Sequence, residues 1–397
     1  MTRISFSRRT TWNRALNPLA ARRDALQAEG RQLIDLTESN PTRCGFHYAA
    51  QEISAALNQG AGISYQPDPR GLPAAREAVV KYLAKAGVAT SPAQVLLCSS
   101  TNEAYSYLLK LLCDPGDSVL VPQPGYPLLD FLLDLDCLDA RPYPLSFDGG
   151  WHLDLEALES AANRRTRCLV AINPGNPTGA FLKRDQWVAL SGLCASRGWA
   201  LIADEVFSDY GQGEDSERLR TALGQSSPAL VFSLSGLSKI AGLPQLKLGW
   251  LVADGPAALR DEALGRLDLI ADSYLSVATP VQRGLERLLA TAAPFQEQVH
   301  QRISQNRAEL DSRIDASASW TALPSEGGWY AVLRIPRHPS EESVCQRLLD
   351  AGVIVHPGYF FDFPVQGHLV LSLIVGRSEF SEGLSRLASV LAAQSEP

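Results

Sequence analysis

The stretch SLSGLSKIAGLPQLKLGW, residues 233–250, places a lysine in a loop of small residues directly after an apolar segment. Lys239 follows the Ser/Gly-rich approach, and a second cation, Lys247, comes eight residues later. A neutral lysine amine condenses with aldehydes, and partial burial or a neighbouring cation makes it neutral near pH 7. Because most lysines lie on solvated surfaces, the stretch alone indicates only a candidate for covalent chemistry.

Apolar segments of strand length surround this stretch and alternate with helical patterns. They are QVLLC (94–98), SVLVP (118–122), CLVAI (168–172), ALIAD (200–204), ALVFS (229–233) and LGWLVA (248–253). Such apolar strands, separated by helices, predict a mainly parallel sheet covered on both faces. After about residue 290 the pattern changes to a long helix (295–313), short strands near 329–335 and 353–355, and a final helix. We therefore predict a large α/β domain over residues 46–290 and a smaller α+β domain built from residues 1–45 and 291–397.

The composition indicates a protein with a sizeable core and an acidic surface. Hydrophobic residues make up 45% of the 397 residues, and the formal net charge is -7. This charge argues against nucleic acid or an anionic membrane as the main partner. The seven cysteines show no C-x-x-C pair, which is typical of reduced thiols, and no apolar run is long enough to cross a bilayer. We expect a cytoplasmic protein.

Polar residues follow the predicted strands at the point where each strand ends. They are Ser100, Thr101, Asn102, Tyr126, Asn173, Asn176, Asp204 and Lys239. Ligands of parallel sheets bind beyond the carboxyl ends of the strands, so these side chains should converge on one cleft.

Three motifs in this order resemble the class I and II aminotransferases, a pyridoxal-phosphate-dependent family of fold type I. They are NPGNPTG (173–179), DEVF (204–207) and GLSKIAGLPQLKLGW (236–250). The resemblance extends from about Leu36 to Leu387. It implies a homodimer with active sites at the subunit interface, and amino-group exchange between an amino acid and a 2-oxo acid by a ping-pong mechanism.

The resemblance also implies roles for individual residues. Lys239 matches the lysine that forms the internal aldimine and later moves a proton on the substrate. Asp204 matches the aspartate that keeps the pyridine nitrogen protonated, so that the ring acts as an electron sink. Asn176 matches the asparagine that donates to the phenolic oxygen, and Tyr126 matches the aromatic residue stacked on the ring. Turn chemistry and core packing are the alternative explanations for Asn176 and Tyr126.

The phosphate group is expected where the SSTN turn meets its helix, because helix N-termini and small hydroxyls suit a dianion. Ser100, Thr101 and Asn102 are the candidates, although an ordinary helix cap would use the same residue types. Lys247 matches the position of an arginine that pairs with the phosphate. Tyr65 matches a tyrosine that is lent to the partner subunit's phosphate.

The sequence departs from the family pattern at three positions. Phe207 replaces a tyrosine that contacts the phenolic oxygen; its loss should raise the aldimine pKa, with Tyr210 as a possible replacement donor. Gly236 stands where relatives often have a phosphate-binding serine, a role that Ser235 or Ser238 could take.

The third departure concerns the substrate. In GHLVLSL (367–373), Val370 stands at the position of the arginine that binds the substrate carboxylate. A valine cannot hold a carboxylate, so either another cation does so, with Arg377, Arg43 and Arg70 as candidates, or the substrate is held differently.

These observations predict an aminotransferase. A C–S β-lyase or a decarboxylase on the same fold is the alternative, and a non-catalytic descendant is disfavoured because both Lys239 and Asp204 are present.

Overall fold

A computed structural model describes residues 4–59, 64–314 and 318–393. Its main feature is an eight-stranded sheet with the strand order β2-β9-β8-β7-β6-β3-β4-β5. The strands are β2 (Val95–Cys98), β3 (Ser118–Gln123), β4 (Asp139–Phe147), β5 (Trp151–Leu153), β6 (Thr166–Ile172), β7 (Ala200–Asp204), β8 (Val231–Gly236) and β9 (Gly249–Asp254).

The sheet is mainly parallel, as predicted. Strands β4, β3, β6, β7 and β8 pair in parallel, whereas β9 runs antiparallel between β2 and β8, and β5 pairs antiparallel with β4 at the edge. Alternate residues enter separate cores on the two faces. Val119 and Val121 lie in one core and Leu120 in the other. This two-sided burial explains the continuous apolar runs of the central strands.

Helices cover both faces of the sheet and build the second part of the molecule. The helices are α1 (Pro18–Ala28), α2 (Ala50–Gln59), α3 (Pro73–Lys85), α4 (Thr101–Leu112), α5 (Leu129–Leu135), α6 (Leu155–Ala161), α7 (Arg184–Arg197), α8 (Leu237–Ile240), α9 (Ala257–Asp272), α10 (Thr279–Ala290), α11 (Ala292–Ser312), α12 (Glu341–Asp350) and α13 (Arg377–Ala392). Among the described residues, no helix is both long and apolar enough to cross a membrane.

A smaller four-stranded sheet, in the order β10-β11-β14-β13, lies in the carboxyl-terminal part of the chain. Its strands are β10 (Thr321–Ala322), β11 (Tyr330–Arg334), β13 (His356–Pro357) and β14 (His368–Ser372). A parallel two-stranded sheet joins β1 (Ile34–Asp35) to β12 (Val353–Ile354), so the amino-terminal segment pairs with the carboxyl-terminal part. The domain boundaries at residues 45/46 and 290/291 stay a prediction.

The sequence reading missed the edge hairpin of β4 and β5. The nine residues of β4 contain two prolines, and much of the strand is only half-buried. This part of the chain therefore lacks the continuous apolar signal by which the central strands were recognised.

Candidate active site

A cavity of about 360 Å³ lies beyond the carboxyl ends of the parallel strands. All the predicted cofactor-binding residues except Tyr65 line it, so the cleft forms where the strand-end rule places it. These are Ser100, Thr101, Asn102, Tyr126, Asn176, Asp204, Ser238, Lys239 and Lys247. Ser39, Pro244 and Tyr330 also line the cavity, and the sequence analysis did not assign them to the cofactor site.

The Lys239 amine lies against two aromatic rings. Strand β8 ends at Gly236, and the single turn of α8 then presents the lysine to the cavity. Its Nζ atom is 4.7 Å from the ring centre of Trp329 and 5.3 Å from that of Phe207. Burial lowers the pKa of Lys239 to about 8, although the charge of Asp204 acts in the opposite direction. At pH 7 roughly a tenth of this amine is therefore neutral, far more than for a lysine with the ordinary pKa.

Asp204 is the last residue of β7 and is almost completely buried. Its Oδ2 atom accepts a hydrogen bond of 2.9 Å from the hydroxyl of Tyr105, and Oδ1 accepts one of 3.2 Å from the Val206 N–H. Burial raises the pKa of Asp204 to about 6, while both hydrogen bonds and Lys239 oppose the rise. Within the described residues, neither Asp204 nor Lys239 belongs to an ion pair. The cavity therefore holds two ionisable groups that a ligand could pair.

Tyr105 is a site residue that sequence reasoning missed. It is fully buried on α4, one helical turn after Thr101. Residues four apart share a face of a helix, so its spacing from Thr101 was the available signal. Its partner is 99 positions away along the chain, and local sequence could not reveal that contact.

The cavity wall also includes a helix N-terminus and a second lysine. Ser100 is the N-cap of α4 and its hydroxyl accepts from the Glu103 N–H, as an ordinary cap does. Thr101, Asn102, Ser238 and Lys247 also line the cavity. The exposed N–H groups of a helix start and a nearby ammonium suit an anion such as a phosphate.

The third motif has a packing reason for its glycines. A Cβ atom on Gly236 would lie 2.7 Å from the Cα of Gly249, and one on Gly249 would lie 3.4 Å from the Thr101 nitrogen. Strands β8 and β9 therefore approach each other and the start of α4 closely. A serine at position 236 would clash. Ser238 lines the cavity, whereas Ser235 lines a different one on the other side of the sheet.

Sequence comparison identifies the family to which these features belong. The family described as Aminotransferase class I and II matches residues 31–384. The chain belongs to this family. It is a pyridoxal-phosphate-dependent aminotransferase.

Relatives of this aminotransferase span nearly its whole length. It is 27% identical to an alanine aminotransferase of Mycobacterium tuberculosis over 92% of this chain and 87% of the relative. It is also 27% identical to an arginine–pyruvate transaminase of Pseudomonas aeruginosa, over 91% of this chain and 90% of the relative.

Solved structures share its fold. An alanine aminotransferase from Pyrococcus furiosus superposes with a TM-score of 0.89 at 21% identity, covering 98% of this chain and 100% of the other. The aspartate aminotransferase of Thermus thermophilus with maleate gives a TM-score of 0.83 at 23% identity, covering 98% and 100%. These likenesses establish fold type I.

The residues of the aminotransferase cavity fit pyridoxal phosphate. Its volume is within the range of small-ligand sites. Asp204 would hold the pyridine nitrogen, Lys239 the aldehyde carbon, and Lys247 with the start of α4 the phosphate. The Oδ1 atom of Asn176 is buried without a hydrogen-bond partner among the described residues. A polar atom of this kind requires a partner that a bound ligand can provide.

Phe207 lines the cavity and lies beside the lysine. Its ring packs edge-on against Trp329 and Tyr330, with centroid distances of 5.3 and 6.2 Å. Tyr210 does not replace the missing hydroxyl of position 207, because its own hydroxyl donates to the backbone carbonyl of Lys239 at 2.6 Å. The wall next to the reacting amine is therefore aromatic and has no phenol donor at position 207.

Neither Val370 nor the three candidate arginines lines the cavity. Arg70 makes a two-pronged ion pair with Asp268. Arg43 is 73% exposed and lies 3.2 Å from Glu38. Arg377 is exposed at the start of α13. None of these three arginines therefore replaces, within this chain, the arginine with which the family binds the substrate carboxylate.

Tyr65 also lies outside the cavity and is 67% exposed. An exposed tyrosine is available to a second subunit, so its role across a dimer interface stays a prediction.

Proposed function

We propose that this aminotransferase exchanges an amino group between an amino acid and a 2-oxo acid in two alternating half-reactions. The observation that carries the proposal is the joint presence of Lys239 and Asp204, both without an ion-pair partner in the described chain, in one cavity. The amine can lose its proton near neutral pH, and the buried carboxylate favours a positively charged partner.

Pyridoxal phosphate, when bound, supplies a conjugated ring that accepts the electron pair left on the reacting carbon. The protein's own residues do the rest. Lys239 removes a proton from the substrate's reacting carbon and returns it to the aldehyde carbon of the cofactor. The amine can do both because it can accept and release a proton near neutral pH. Asp204 would keep the pyridine nitrogen protonated, and Tyr105 and the Val206 N–H hold the two carboxylate oxygens of Asp204 in place.

The aromatic residues exclude water from the reacting atoms. Tyr126 covers one wall of the cavity, and Phe207 and Trp329 lie against the lysine amine. The exclusion of water strengthens the electrostatic interaction of each charged group in the cavity.

The proposal includes a homodimer in which Tyr65 reaches the partner's phosphate site, and a cytoplasmic location. The exposure of Tyr65 supports the first, and seven free cysteines support the second.

A single experiment tests the reaction type. Purified holoenzyme is mixed with each member of an amino-acid panel, and the visible spectrum and the products are followed. Conversion of the cofactor to its amine form with release of a 2-oxo acid is expected. Release of ammonia with pyruvate would identify a β-lyase, and carbon dioxide a decarboxylase. The Lys239→Ala variant serves as the control and should show no conversion over the same reaction time.

A further inference from the structure

The proposed function requires the cavity to hold the substrate's reacting carbon together with the groups bonded to it. We propose that the site also accepts primary amines and aldehydes, which have no carboxylate on the reacting carbon. This inference rests on the proposed aminotransferase reaction and adds a substrate class to it. Two observations about the cavity wall support it.

The first observation is the small number of cations. Among the described residues that line the cavity, only Lys239 and Lys247 are positively charged. Lys239 is the amine that reacts, and Lys247 is the cation assigned above to the cofactor's phosphate. Neither is available to pair with a carboxylate on the reacting carbon.

The second observation is the apolar face of the smaller sheet. Tyr330 pairs with Ser372 and Val332 pairs with Val370. Because side chains alternate along a strand, all four share one face. Tyr330 lines the cavity, and it also packs against the cluster in which Val370 is completely buried with Phe361 and Phe363. The region behind Tyr330 is therefore apolar, at the position where the family has an arginine side chain.

The expected effect on selectivity follows from the missing ion pair. A hydrogen bond to a charged group increases the affinity for a ligand by roughly 10- to 150-fold. Without the pair, an amino acid should lose most of that advantage over the amine that lacks its carboxylate. We expect the two to react at rates within about tenfold of each other.

The reaction balances with no outside oxidant. The amine R–CH₂–NH₂ and a 2-oxo acid give the aldehyde R–CHO and the corresponding amino acid. The donor's C–N bond breaks and its carbon is oxidised by two electrons. A C–N bond forms on the acceptor, whose carbonyl carbon is reduced by two electrons.

The test compares L-phenylalanine with 2-phenylethylamine, which differ only in the carboxylate, in single-turnover reactions of the holoenzyme. A rate ratio below about tenfold supports the inference, and a larger preference for phenylalanine overturns it. Because the whole enzyme is used, a cation from a second subunit would appear as such a preference. Failure of both compounds also overturns the inference. The proposed function itself fails only if no member of the amino-acid panel is converted.

A binding measurement without turnover provides the second readout. Isothermal titration calorimetry of the holoenzyme compares 3-phenylpropanoate with 3-phenylpropanamide. We expect the carboxylate to bind no more tightly than the amide, and carboxylate binding more than tenfold tighter would contradict the inference.

The Val370→Arg variant should shift this binding ratio at least tenfold towards the carboxylate. Val370→Leu is the matched control for disturbance of the apolar cluster and should keep the wild-type ratio. Thermal melting confirms that both variants fold. If Val370→Arg does not fold, the wild-type ratios still decide the question.

Discussion

The hydrogen bond from Tyr105 to Asp204 should control how strongly the protein binds its cofactor as the pH changes. In the Tyr105→Phe variant, Asp204 loses the donor 2.9 Å from its Oδ2 atom, and no other side chain in the described chain donates to that carboxylate. Both residues are buried, so water is a poor replacement for the lost hydroxyl.

The magnitude follows from the hydrogen bond. A hydrogen bond to an ionised group contributes about 1.5–3 kcal/mol, and one pKa unit corresponds to about 1.4 kcal/mol. The pKa of Asp204, which burial raises to about 6 in the wild type, should therefore rise by roughly one to two further units in the variant. At pH 7 the ionised fraction should fall by about two- to tenfold. Cofactor affinity should fall by the same factor and recover as the pH rises, because only the carboxylate pairs with the protonated ring nitrogen.

The assay is a titration of apoenzyme with pyridoxal phosphate at a series of pH values, with Tyr107→Phe as the control. Tyr107 is buried on the same helix, but its hydroxyl lies 3.4 Å from Ser276 and does not contact Asp204. The Tyr107 variant should keep the wild-type pH profile. If both variants have the same acidic midpoint as the wild type, the hydroxyl of Tyr105 does not tune Asp204 and the reasoning is refuted.

Three further predictions concern other parts of the cavity. The rate at which apoenzyme and cofactor form a borohydride-reducible bond should rise with pH around a midpoint near 8, because Lys239 must lose its proton to react; a midpoint at the ordinary lysine value of 10.5 would contradict the lowered pKa. Lys247→Ala should weaken cofactor binding by roughly 10- to 150-fold in the same titration, and Lys247→Arg should retain most of it; an unchanged affinity in the alanine variant would remove Lys247 from the phosphate site. Phe207→Tyr should lower the pH at which the visible absorption of the lysine-bound cofactor changes, because the new hydroxyl can donate to the phenolic oxygen; an identical titration curve would show that the added hydroxyl does not reach it.

Local sequence was sufficient to predict the central strands of the large sheet and the position of the cleft. Each central strand is an uninterrupted apolar run followed by polar residues, and this pattern arises because both faces of a parallel sheet are buried while the strand ends are open. Asp204 ends β7, and Asn176 and Lys239 come within four residues of the ends of β6 and β8, so their convergence was predictable without knowledge of any contact between them.

Contacts between distant segments were decided only by tertiary structure. Trp329 reaches Lys239 from the loop before β11, and Tyr105 reaches Asp204 from α4. Position 236 excludes a side chain because Gly249 on the neighbouring strand is so close. The hydrophobic pattern of one segment specifies which of its faces is buried, but not which residue of another segment meets that face.

The amino-acid order by itself determined the family, the strand-end lysine and carboxylate, and the replacement of an arginine by Val370. Tertiary packing decided that the valine lies in an apolar cluster behind Tyr330, and that Arg43, Arg70 and Arg377 point to other partners or to solvent. The physical reason is that a charged side chain acts over a few ångströms, so its role depends on positions in space that the chain order does not specify.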